Sequence, residues 1–592
     1  MTRDNLVQPL RLGGALAVLT ASFLPAQNNV LVIVGDDIGV DKVGAYREGH
    51  KPPPTPTLDA LARRGVLFRN AYSNAVCSPT RACIHTGQYA FRTLIGSAIP
   101  IGNPATLQES AVTLPEVLDR AKSGYRHAAI GKWHLGPARG DEDHPRRVGG
   151  WSHFAGMLPG ATTDYYNWPR TVDGSTQTST TYTTTQMVDD ALAWIRGQNG
   201  PWVCYLAFNA PHTPFHAPPA NLHTQDLTGK DPDQQPIPFY TAMVEAMDAE
   251  IGRLLAGLGS SLDRTNVVFL GDNGTFEPVI EAPFPSDHGK ATPYEGGTNV
   301  PLIVAGPAVA SGGREVTALV GAVDLFATVL ELAGVDARAS VPAWVPLDSI
   351  SFAPYLADPN RSPLRQTIAT EQFTGDSWPR PERNGFATLR NDRYKLIRLF
   401  RVAQPPTEQL YDLLVDPFEQ SDLLLGSLTT EQQLARDSLR AELDALRTRT
   451  AAVYRYGATD CVGSNGRPTI GVTGSPVIGT TYRVLVQNGP RRSSAVLLSG
   501  LSAETWAPLV LPFPLTTLGG GAGCYVLASG DVLTPVSTDA AGAASIPVAL
   551  PSDRSLVGWT VFHGWLLTDP SAPANPLGIT ASDGLAALLG DR

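Results

Sequence analysis

The chain has 592 residues, of which 43% are hydrophobic and 17% are charged, a composition typical of a globular protein with more than one domain. Its formal net charge of −10 argues against a protein that binds nucleic acid, because such proteins carry a basic stripe. A small basic pocket for an anion remains compatible with this charge.

The first 27 residues have the pattern of an export signal. Arg3 and Arg11 precede an uncharged, mostly apolar run from Leu12 to Leu24, which is short for a bilayer-spanning helix. We place the cleavage site near Ala26, and a buried first helix is the alternative. No later apolar run has the length of a membrane helix, so we predict an exported protein (periplasmic, cell-surface or secreted) without a transmembrane segment.

Residues 28–348 alternate short apolar runs with helical patterns. This alternation predicts an α/β domain with a mixed, mostly parallel sheet flanked by helices. The run Asn29–Gly35 is apolar, as expected for a strand covered on both faces. A short helix is predicted from Pro56 to Arg64, with Thr55 as its cap and Gly65 at its end.

Residues 349–456 have a different pattern, which predicts a small α+β subdomain. Phe386–Arg390 and Tyr394–Arg398 predict a hairpin, and a polar helix is expected from Thr430 to about Arg449. Beyond residue 457 lysine is absent, and short apolar runs alternate with turn residues. Residues 457–592 are therefore predicted to form an appended all-β domain, a sandwich whose role the sequence leaves open.

The chain has 5 cysteines. Cys461 and Cys524 lie in the C-terminal segment, where export would allow them to form a disulfide. Cys83 and Cys204 lie in apolar surroundings that are typical of buried thiols.

Four apolar runs lead into polar side chains that can do chemistry. They are Asn29–Gly35 before Asp36 and Asp37, Tyr125–Ile130 before Lys132 and His134, Trp202–Phe208 before His212, and Asn266–Gly271 before Asp272 and Asn273. Because ligands bind at the carboxyl ends of strands in open parallel sheets, we expect these side chains to meet at one edge. Each acidic pair alone is more typical of a turn or a helix cap, so the joint pattern carries the prediction.

The side chains expected at this edge suit a hard metal ion and an anion. Asp36, Asp37 and Asp272 would repel one another unless they become protonated or share a cation. With the amide oxygen of Asn273 they form an all-oxygen set that fits Ca²⁺ or Mg²⁺ better than zinc. Donors for an anionic substrate would come from the surrounding basic side chains, Lys132, His134, His212 and Lys290.

The segment Cys77-Ser78-Pro79-Thr80-Arg81 resembles the signature of the type I sulfatases of the arylsulfatase branch, which have the alkaline-phosphatase-like fold. The resemblance covers roughly Asn28 to Leu425. It includes the ordered segments NVLVIVGDDIG, CSPTRACIHTG, GKWHLG, NAPHTPFHAP, GDNG and GKATPYEGGTNVP. The chain departs from the family pattern at His85, where an apolar residue is common, and at Asn299, where an arginine is frequent.

The resemblance implies that a maturation enzyme oxidises Cys77 to formylglycine (3-oxoalanine), whose hydrate is the nucleophile of a double displacement. It implies Ca²⁺ as the metal, with Mg²⁺ less suitable. The implied metal ligands are Asp36, Asp37, Cys77, Asp272 and Asn273.

The resemblance also implies roles for the basic side chains. Arg81 would hold the hydrated aldehyde, and His134 would take a proton from it. The remaining residues of the implied catalytic set bind sulfate or protonate the leaving oxygen: Lys132, His212 and Lys290.

We therefore expect a sulfuric ester hydrolase that acts on a sulfated carbohydrate or an aryl sulfate. One alternative is a phosphate or phosphonate monoester hydrolase on the same fold, and another is a glycan-binding protein without catalytic activity. Substrate specificity is expected from loop aromatics, which are equally compatible with core positions: Trp151, Tyr165, Tyr166, Trp168 and Trp378.

Overall fold

The computed structural model describes residues 27–591 except 102–105, 108–110, 343, 375–383, 402–403, 448–450, 458–459 and 554–555. The predicted export signal and Trp378 therefore lie outside the described residues. Among the described helices, none combines the length and the apolar character needed to cross a membrane.

The first part of the chain is built on a mixed sheet. Its strands are β1 (Asn29–Gly35), β2 (Val66–Phe68), β4 (Arg126–Lys132), β5 (His153–Met157), β6 (Trp168–Val172), β7 (Ser175–Ser179), β8 (Trp202–Ala207), β9 (Thr265–Gly271), β10 (Leu302–Ala305) and β11 (Arg314–Val316). Two further short strands, β3 (Ala71–Tyr72) and β12 (Val320–Gly321), pair with each other in a separate sheet. In the described residues the large sheet has the order β11-β2-β10-β9-β1-β8-β4-β5-β6-β7. Its centre, from β9 to β5, is parallel. The predicted mostly parallel sheet is thus confirmed.

Helices cover both faces of this sheet. They are α1 (Pro56–Arg64), α2 (Cys77–Thr86), α3 (Ala90–Thr93), α4 (Leu114–Arg120), α5 (His144–Arg147), α6 (Thr183–Arg196), α7 (Pro236–Gly257), α8 (Glu295–Thr298), α9 (Leu325–Leu332), α10 (Ala337–Ser340) and α11 (Pro354–Ala357). Alternate residues of β1 enter two cores, since Val32 packs with α2, α4 and α9 while Ile33 packs with α6 and α7. This double burial explains the continuous apolar run of β1.

Helix α1 has the predicted bounds, but its predicted cap is wrong. The Thr55 hydroxyl makes no capping hydrogen bond and instead donates to Asp59 Oδ1 at 3.2 Å. The same hydroxyl accepts a hydrogen bond from the Gly44 amide, so a tertiary contact replaces the local cap.

The next unit is an antiparallel sheet in the order β13 (Ile368–Thr374), β14 (Asn384–Arg390), β15 (Tyr394–Phe400) and β16 (Thr407–Asp412). The predicted hairpin corresponds to β14 and β15. Helix α12 (Thr430–Arg447) covers one face, where its Leu439 and Leu443 join Leu389 and Leu396. The expected end near residue 449 lies outside the described residues.

The C-terminal strands form two antiparallel sheets with a shared core, as predicted for a sandwich. They are β17 (Ala452–Tyr456), β18 (Thr469–Thr473), β19 (Thr481–Gln487), β20 (Ser494–Gly500), β21 (Thr505–Trp506), β22 (Leu509–Val510), β23 (Phe513–Pro514), β24 (Tyr525–Val526), β25 (Val532–Ser537), β26 (Ala544–Ala549), β27 (Thr560–Thr568), β28 (Ile579–Ala581) and β29 (Gly584–Leu588). One sheet has the order β17-β29-β27-β20-β25 and the other β18-β19-β26, with Tyr482 and Trp565 in their common core. The first sheet begins at β17, before the predicted boundary at residue 457, because β17 pairs with β29.

The cysteines of this unit, Cys461 and Cys524, form a disulfide. Cys83 and Cys204 are buried thiols, as the sequence predicted.

Candidate active site

The four strands that precede the polar clusters are neighbours in the sheet. Their order is β9-β1-β8-β4, and all are parallel. Gly35 at the end of β1 is in register with Gly271 at the end of β9, so the residues that follow both strands lie at one edge. The sheet thereby brings the acidic pairs and the basic side chains together, as the strand pattern predicted.

The acidic side chains of this edge are buried and held in fixed orientations. The Asp37 amide donates to Asp272 Oδ1 at 3.2 Å, and Asn273 Nδ2 donates to Asp37 Oδ1 at 2.8 Å. Asp37 adopts a left-handed backbone conformation with φ of 64°, which is uncommon for residues other than glycine, although aspartate adopts it more often than most. In the described part of the chain, Asp36 Oδ1 and Asn273 Oδ1 are buried and accept no hydrogen bond.

Cys77 lies beside these carboxylates as the first residue of α2. All ten residues of this helix are buried, and the side chain of the preceding Val76 does not cap it. The open helix end therefore directs amide groups and positive potential toward the residues around Cys77. Ligand atoms of Asp36, Cys77 and Asp272 lie within 4.8 Å of one another.

His134 lies within hydrogen-bonding distance of the Cys77 thiol. Its Nδ1 lies 3.2 Å from Cys77 Sγ, and its Nε2 lies 3.0 Å from the carbonyl oxygen of Ile99. The Ile99 carbonyl can only accept, so Nε2 carries the proton and Nδ1 faces Cys77 with its lone pair. Burial, assisted by Lys132, lowers the pKa of His134 well below its ordinary value and favours this neutral form.

Two residues that the sequence reasoning missed hold His134 in place. The buried Ser78 hydroxyl donates to the His134 carbonyl at 3.0 Å and accepts from the Ile99 amide at 3.2 Å. Gly160 lies against the imidazole, where an added Cβ would come within 2.1 Å of His134 Cε1. Ser78 could have been found from the sequence, because it follows Cys77 in the signature segment. The contact of Gly160 with the His134 ring depends on tertiary packing and leaves no signal in the sequence.

The basic side chains are paired with the carboxylates. Arg81 Nη2 donates to Asp272 Oδ2 at 2.7 Å, and Lys132 Nζ donates to Asp36 Oδ2 at 2.5 Å. Lys290 Nζ lies 2.6 Å from Asp37 Oδ1. Burial alone would lower the pKa of Lys290, but Asp37 raises it above the ordinary value, so the side chain stays charged.

His212 lies on the Asp37 side of the cluster. Its Nδ1 is 2.8 Å from the Thr213 carbonyl, so Nδ1 is the donor and Nε2 faces Asp37 Oδ2 at 3.9 Å. The Tyr165 hydroxyl lies 2.6 Å from the His212 carbonyl and fixes the backbone of this segment. Burial lowers the pKa of His212.

The structure decides between substrate contact and a core position, both left open by the sequence, for three of the described loop aromatics. Trp151, Tyr165 and Trp168 are at most 2% exposed and belong to the interior. Tyr166 is 38% exposed, and its hydroxyl donates to the Ala217 carbonyl. The sequence pattern did not distinguish buried aromatic residues from exposed ones, because aromatic residues are common both in protein cores and in sugar-binding sites.

His85, one of the departures from the family pattern, is a packing residue. Its ring lies 4.7 Å from that of Tyr205 and 5.1 Å from that of Trp133. Burial lowers the pKa of His85 to about 3, so the ring is neutral.

The residues present fit a hard divalent cation. Asp36 Oδ1 and Asn273 Oδ1 are buried acceptors with no donor among the described residues, and Asp272 adds a third oxygen-bearing side chain beside them. Burial and the charge of Asp272 raise the pKa of Asp36 to about 7, which a bound cation would counteract. Oxygen donors of this kind are those that Ca²⁺ takes.

Comparison with known proteins agrees with this geometry. The sequence model of the family described as Sulfatase matches residues 28–335, and that described as N-sulphoglucosamine sulphohydrolase, C-terminal, matches residues 288–449. The chain is 30% identical over 378 residues to the uncharacterized sulfatase YdeN of Escherichia coli. The aligned region covers 58% of this chain and 64% of that protein. It is 31% identical over 371 residues to human N-acetylgalactosamine-6-sulfatase, and the aligned region covers 57% of this chain and 67% of that enzyme.

Among solved structures, a protein named BT4656, in complex with its substrate D-glucosamine-2-N,6-O-disulfate, superimposes with a TM-score of 0.56 at 22% identity. The superposition covers 71% of this chain and 98% of that one. The match to the E. coli protein spans just under two thirds of its length. Since one family model covers residues 28–335, more than half of the chain, the protein belongs to the type I sulfatase family of the alkaline-phosphatase-like superfamily.

Proposed function

We propose that the protein hydrolyses sulfate esters, with Cys77 converted to formylglycine and Ca²⁺ bound at the acidic edge of the sheet. One observation carries this proposal. The Cys77 Sγ lies 3.2 Å from an unprotonated imidazole nitrogen, among buried carboxylates and paired cations. An ordinary structural cysteine needs neither a base nor such a charged environment.

The metal would be held by Asp36, Asp37, Asp272 and Asn273 together with the modified side chain at position 77. When bound, Ca²⁺ would supply positive charge next to the nucleophile and a sulfate oxygen. The aldehyde of formylglycine would supply, as its hydrate, one hydroxyl for attack and a second for release of the sulfate.

His134 is the proposed proton acceptor at position 77. Its Nδ1 carries the free lone pair because Nε2 is committed to the Ile99 carbonyl. Since the imidazole is held in one tautomer, no reorientation is needed before it accepts a proton. Ser78 and Gly160 position this ring but touch no reacting atom.

The fixed cations are proposed to bind the sulfate and the leaving oxygen. Lys132, Lys290 and Arg81 each pair with a carboxylate, so the site balances its charges before substrate and metal arrive. Cations held in place in this way stabilise developing charge without reorganising. Lys290, which keeps its charge, is the proposed proton donor to the leaving alcohol, and His212 is the alternative when its Nε2 is protonated.

A sulfated carbohydrate is the proposed substrate class. Two similar proteins have such compounds in their names or titles: N-acetylgalactosamine-6-sulfatase and the protein bound to D-glucosamine-2-N,6-O-disulfate. Export, which the first 27 residues predict, would bring the protein into contact with polysaccharides outside the cytoplasm.

Mass spectrometry of the tryptic peptide Asn70–Arg81 tests the modification in protein produced with a formylglycine-generating enzyme. We expect an aldehyde in place of the thiol, and release of sulfate from 4-nitrophenyl sulfate that is lost on chelation and restored by Ca²⁺. The Cys77→Ala variant is the control. An unmodified thiol, or faster turnover of 4-nitrophenyl phosphate than of the sulfate, would contradict the proposal.

A further inference from the structure

Tyr240 contacts the backbone of Asp37, one of the proposed metal ligands, from a distant part of the chain. It lies on α7, 203 positions from Asp37, and is 1% exposed. Its hydroxyl donates a hydrogen bond to the Asp37 carbonyl oxygen at 2.8 Å. A buried tyrosine hydroxyl needs a partner, and here that partner is the main chain of a site residue.

The ring of Tyr240 is itself held in place. The ring of Phe215 makes an edge contact with it at a centroid distance of 5.8 Å. The ammonium group of the buried Lys42 lies 5.6 Å from the ring centroid and 3.3 Å from Asp41. The hydroxyl therefore reaches Asp37 from a side chain that has little freedom to move.

Asp37 is a residue whose backbone needs support. Its left-handed conformation, with φ of 64°, persists in a residue other than glycine where the surrounding contacts hold it. Two long-range hydrogen bonds do so, since the Asp37 amide donates to Asp272 Oδ1 and the Asp37 carbonyl accepts from Tyr240. The conformation sets the direction in which the carboxylate leaves the chain, so these two bonds determine where its oxygens lie.

Tyr240 differs from the other partners of Asp37 in what it leaves free. The hydrogen bonds with Asn273, Lys290 and Asp272 each occupy a carboxylate oxygen of Asp37 or Asp272. A divalent cation would take the same oxygens, so those partners must share them with the metal. The Tyr240 hydroxyl uses the main-chain carbonyl instead, and metal binding does not require this bond to break.

We infer that Tyr240 is a positioning residue for the metal, because its hydroxyl fixes the backbone of Asp37 and thereby the carboxylate that would bind the cation. The inference rests on the proposed Ca²⁺ site and adds to it a residue of α7 that acts on the cation through Asp37. Loss of the hydroxyl should therefore lower the affinity for Ca²⁺.

Calorimetric titration of Ca²⁺ into the full-length, matured protein, stripped of metal by chelation, tests this role without depending on turnover. Tyr240→Phe removes the hydroxyl and keeps the ring, so the core stays filled. We expect its Ca²⁺ affinity to be about tenfold weaker than that of the wild type, as for other groups that orient a metal ligand. Turnover of 4-nitrophenyl sulfate should approach the wild-type kcat once Ca²⁺ is saturating, with the Ca²⁺ requirement raised about tenfold.

Tyr46→Phe is the matched control. Tyr46 is also 1% exposed, and its hydroxyl lies 3.0 Å from the carbonyl oxygens of Phe68 and Leu302, which are not residues of the proposed site. This variant should lose stability in urea, as Tyr240→Phe should, but bind Ca²⁺ with wild-type affinity. A 4-aminophenylalanine side chain at position 240, which keeps a hydrogen-bond donor, should recover most of the affinity that Tyr240→Phe loses.

Two results would overturn the inference alone: equal Ca²⁺ affinities of Tyr240→Phe and the wild type, or the same loss of affinity in Tyr46→Phe. Absence of Ca²⁺ binding by the matured wild-type protein is a different outcome. It would contradict the proposed metal site, and the inference would fall with it.

Discussion

At the scale of single residues, the site depends on side chains with no chemistry of their own. Gly160 leaves room for the His134 ring, and Ser78 links the backbone of His134 to that of Ile99. The reacting residues were predictable because their types and motif spacing indicate chemistry. Gly160 was not, because a glycine in a loop carries no signal of what packs against it.

Replacement of Gly160 by alanine should displace His134 from Cys77. The new Cβ would lie 2.1 Å from the imidazole, so the ring must shift or rotate. We expect sulfate ester turnover to fall about 100-fold, as for a misplacement near 1 Å, with little change in KM. Gly200→Ala is the control, since its added Cβ meets no atom within 4 Å in the described residues. Wild-type kcat in Gly160→Ala would refute the positioning role.

His85 should make folding stability depend on pH. The unfolded imidazole binds a proton below its ordinary pKa of 6.5, whereas burial lowers the folded value to about 3. Stability is therefore lost as the pH falls below 6.5, by about 2 kcal/mol for this group between pH 7 and pH 5. Urea unfolding of His85→Phe should show a smaller loss than wild type by about this amount. The His50→Phe variant, which changes an exposed histidine, should lose as much stability as the wild type. An equal loss in the wild type, His85→Phe and His50→Phe would contradict the prediction.

At the scale of elements, buried charges connect the four-stranded sheet to the catalytic region. Lys395 on β15 lies 3.0 Å from Glu295 on α8 and 3.0 Å from Glu419 after β16. The hairpin of β14 and β15 was predictable from local alternation of apolar and polar residues. The ion pair between Lys395 and Glu295 was not, because the two residues are 100 positions apart and local periodicity does not show such contacts.

Loss of the Lys395 charge should weaken this connection. Lys395→Met would leave Glu295 and Glu419 buried and facing each other, and removal of one partner of a buried pair costs about 3–5 kcal/mol. Burial already raises the pKa of Glu419 to about 7, and loss of Lys395, which lowers it, raises it further, so protonation should relieve more of the cost at pH 6 than at pH 8. Thermal unfolding at both pH values measures this, with the exposed Lys51→Met as control. Equal melting temperatures for Lys395→Met and wild type would count against the network.

At the scale of the whole molecule, aromatic side chains connect the C-terminal sandwich to the catalytic region. Trp344 lies 5.1 Å from Tyr456 and 6.0 Å from Phe562, measured between ring centroids. Arg120 and Glu504 form an ion pair at the same boundary. The composition change near residue 457 predicted a separate unit, but only strand pairing showed that β17 belongs to it.

The disulfide of the sandwich should stabilise this unit without affecting catalysis. Cys461 and Cys524 are separated by 63 residues, and a loop of this length corresponds to about 4 kcal/mol of stabilisation. In the Cys461→Ser, Cys524→Ser double variant, calorimetry should show an earlier unfolding transition for the sandwich. Turnover of 4-nitrophenyl sulfate at 25 °C should stay at the wild-type rate, because the candidate site lies on another sheet. A joint shift of all transitions would show that the two units unfold together.

Sequence patterns alone predict the α/β core, the strand ends that carry the acidic and basic residues, and the resemblance to the sulfatase family. These features follow from local periodicity and from residue types at fixed spacing. Tertiary structure alone decided which histidine nitrogen faces Cys77, that Gly160 must lack a Cβ, and that Trp151, Tyr165 and Trp168 are core residues. The physical reason is that these depend on distances between residues far apart in the chain, which packing sets and local sequence does not encode.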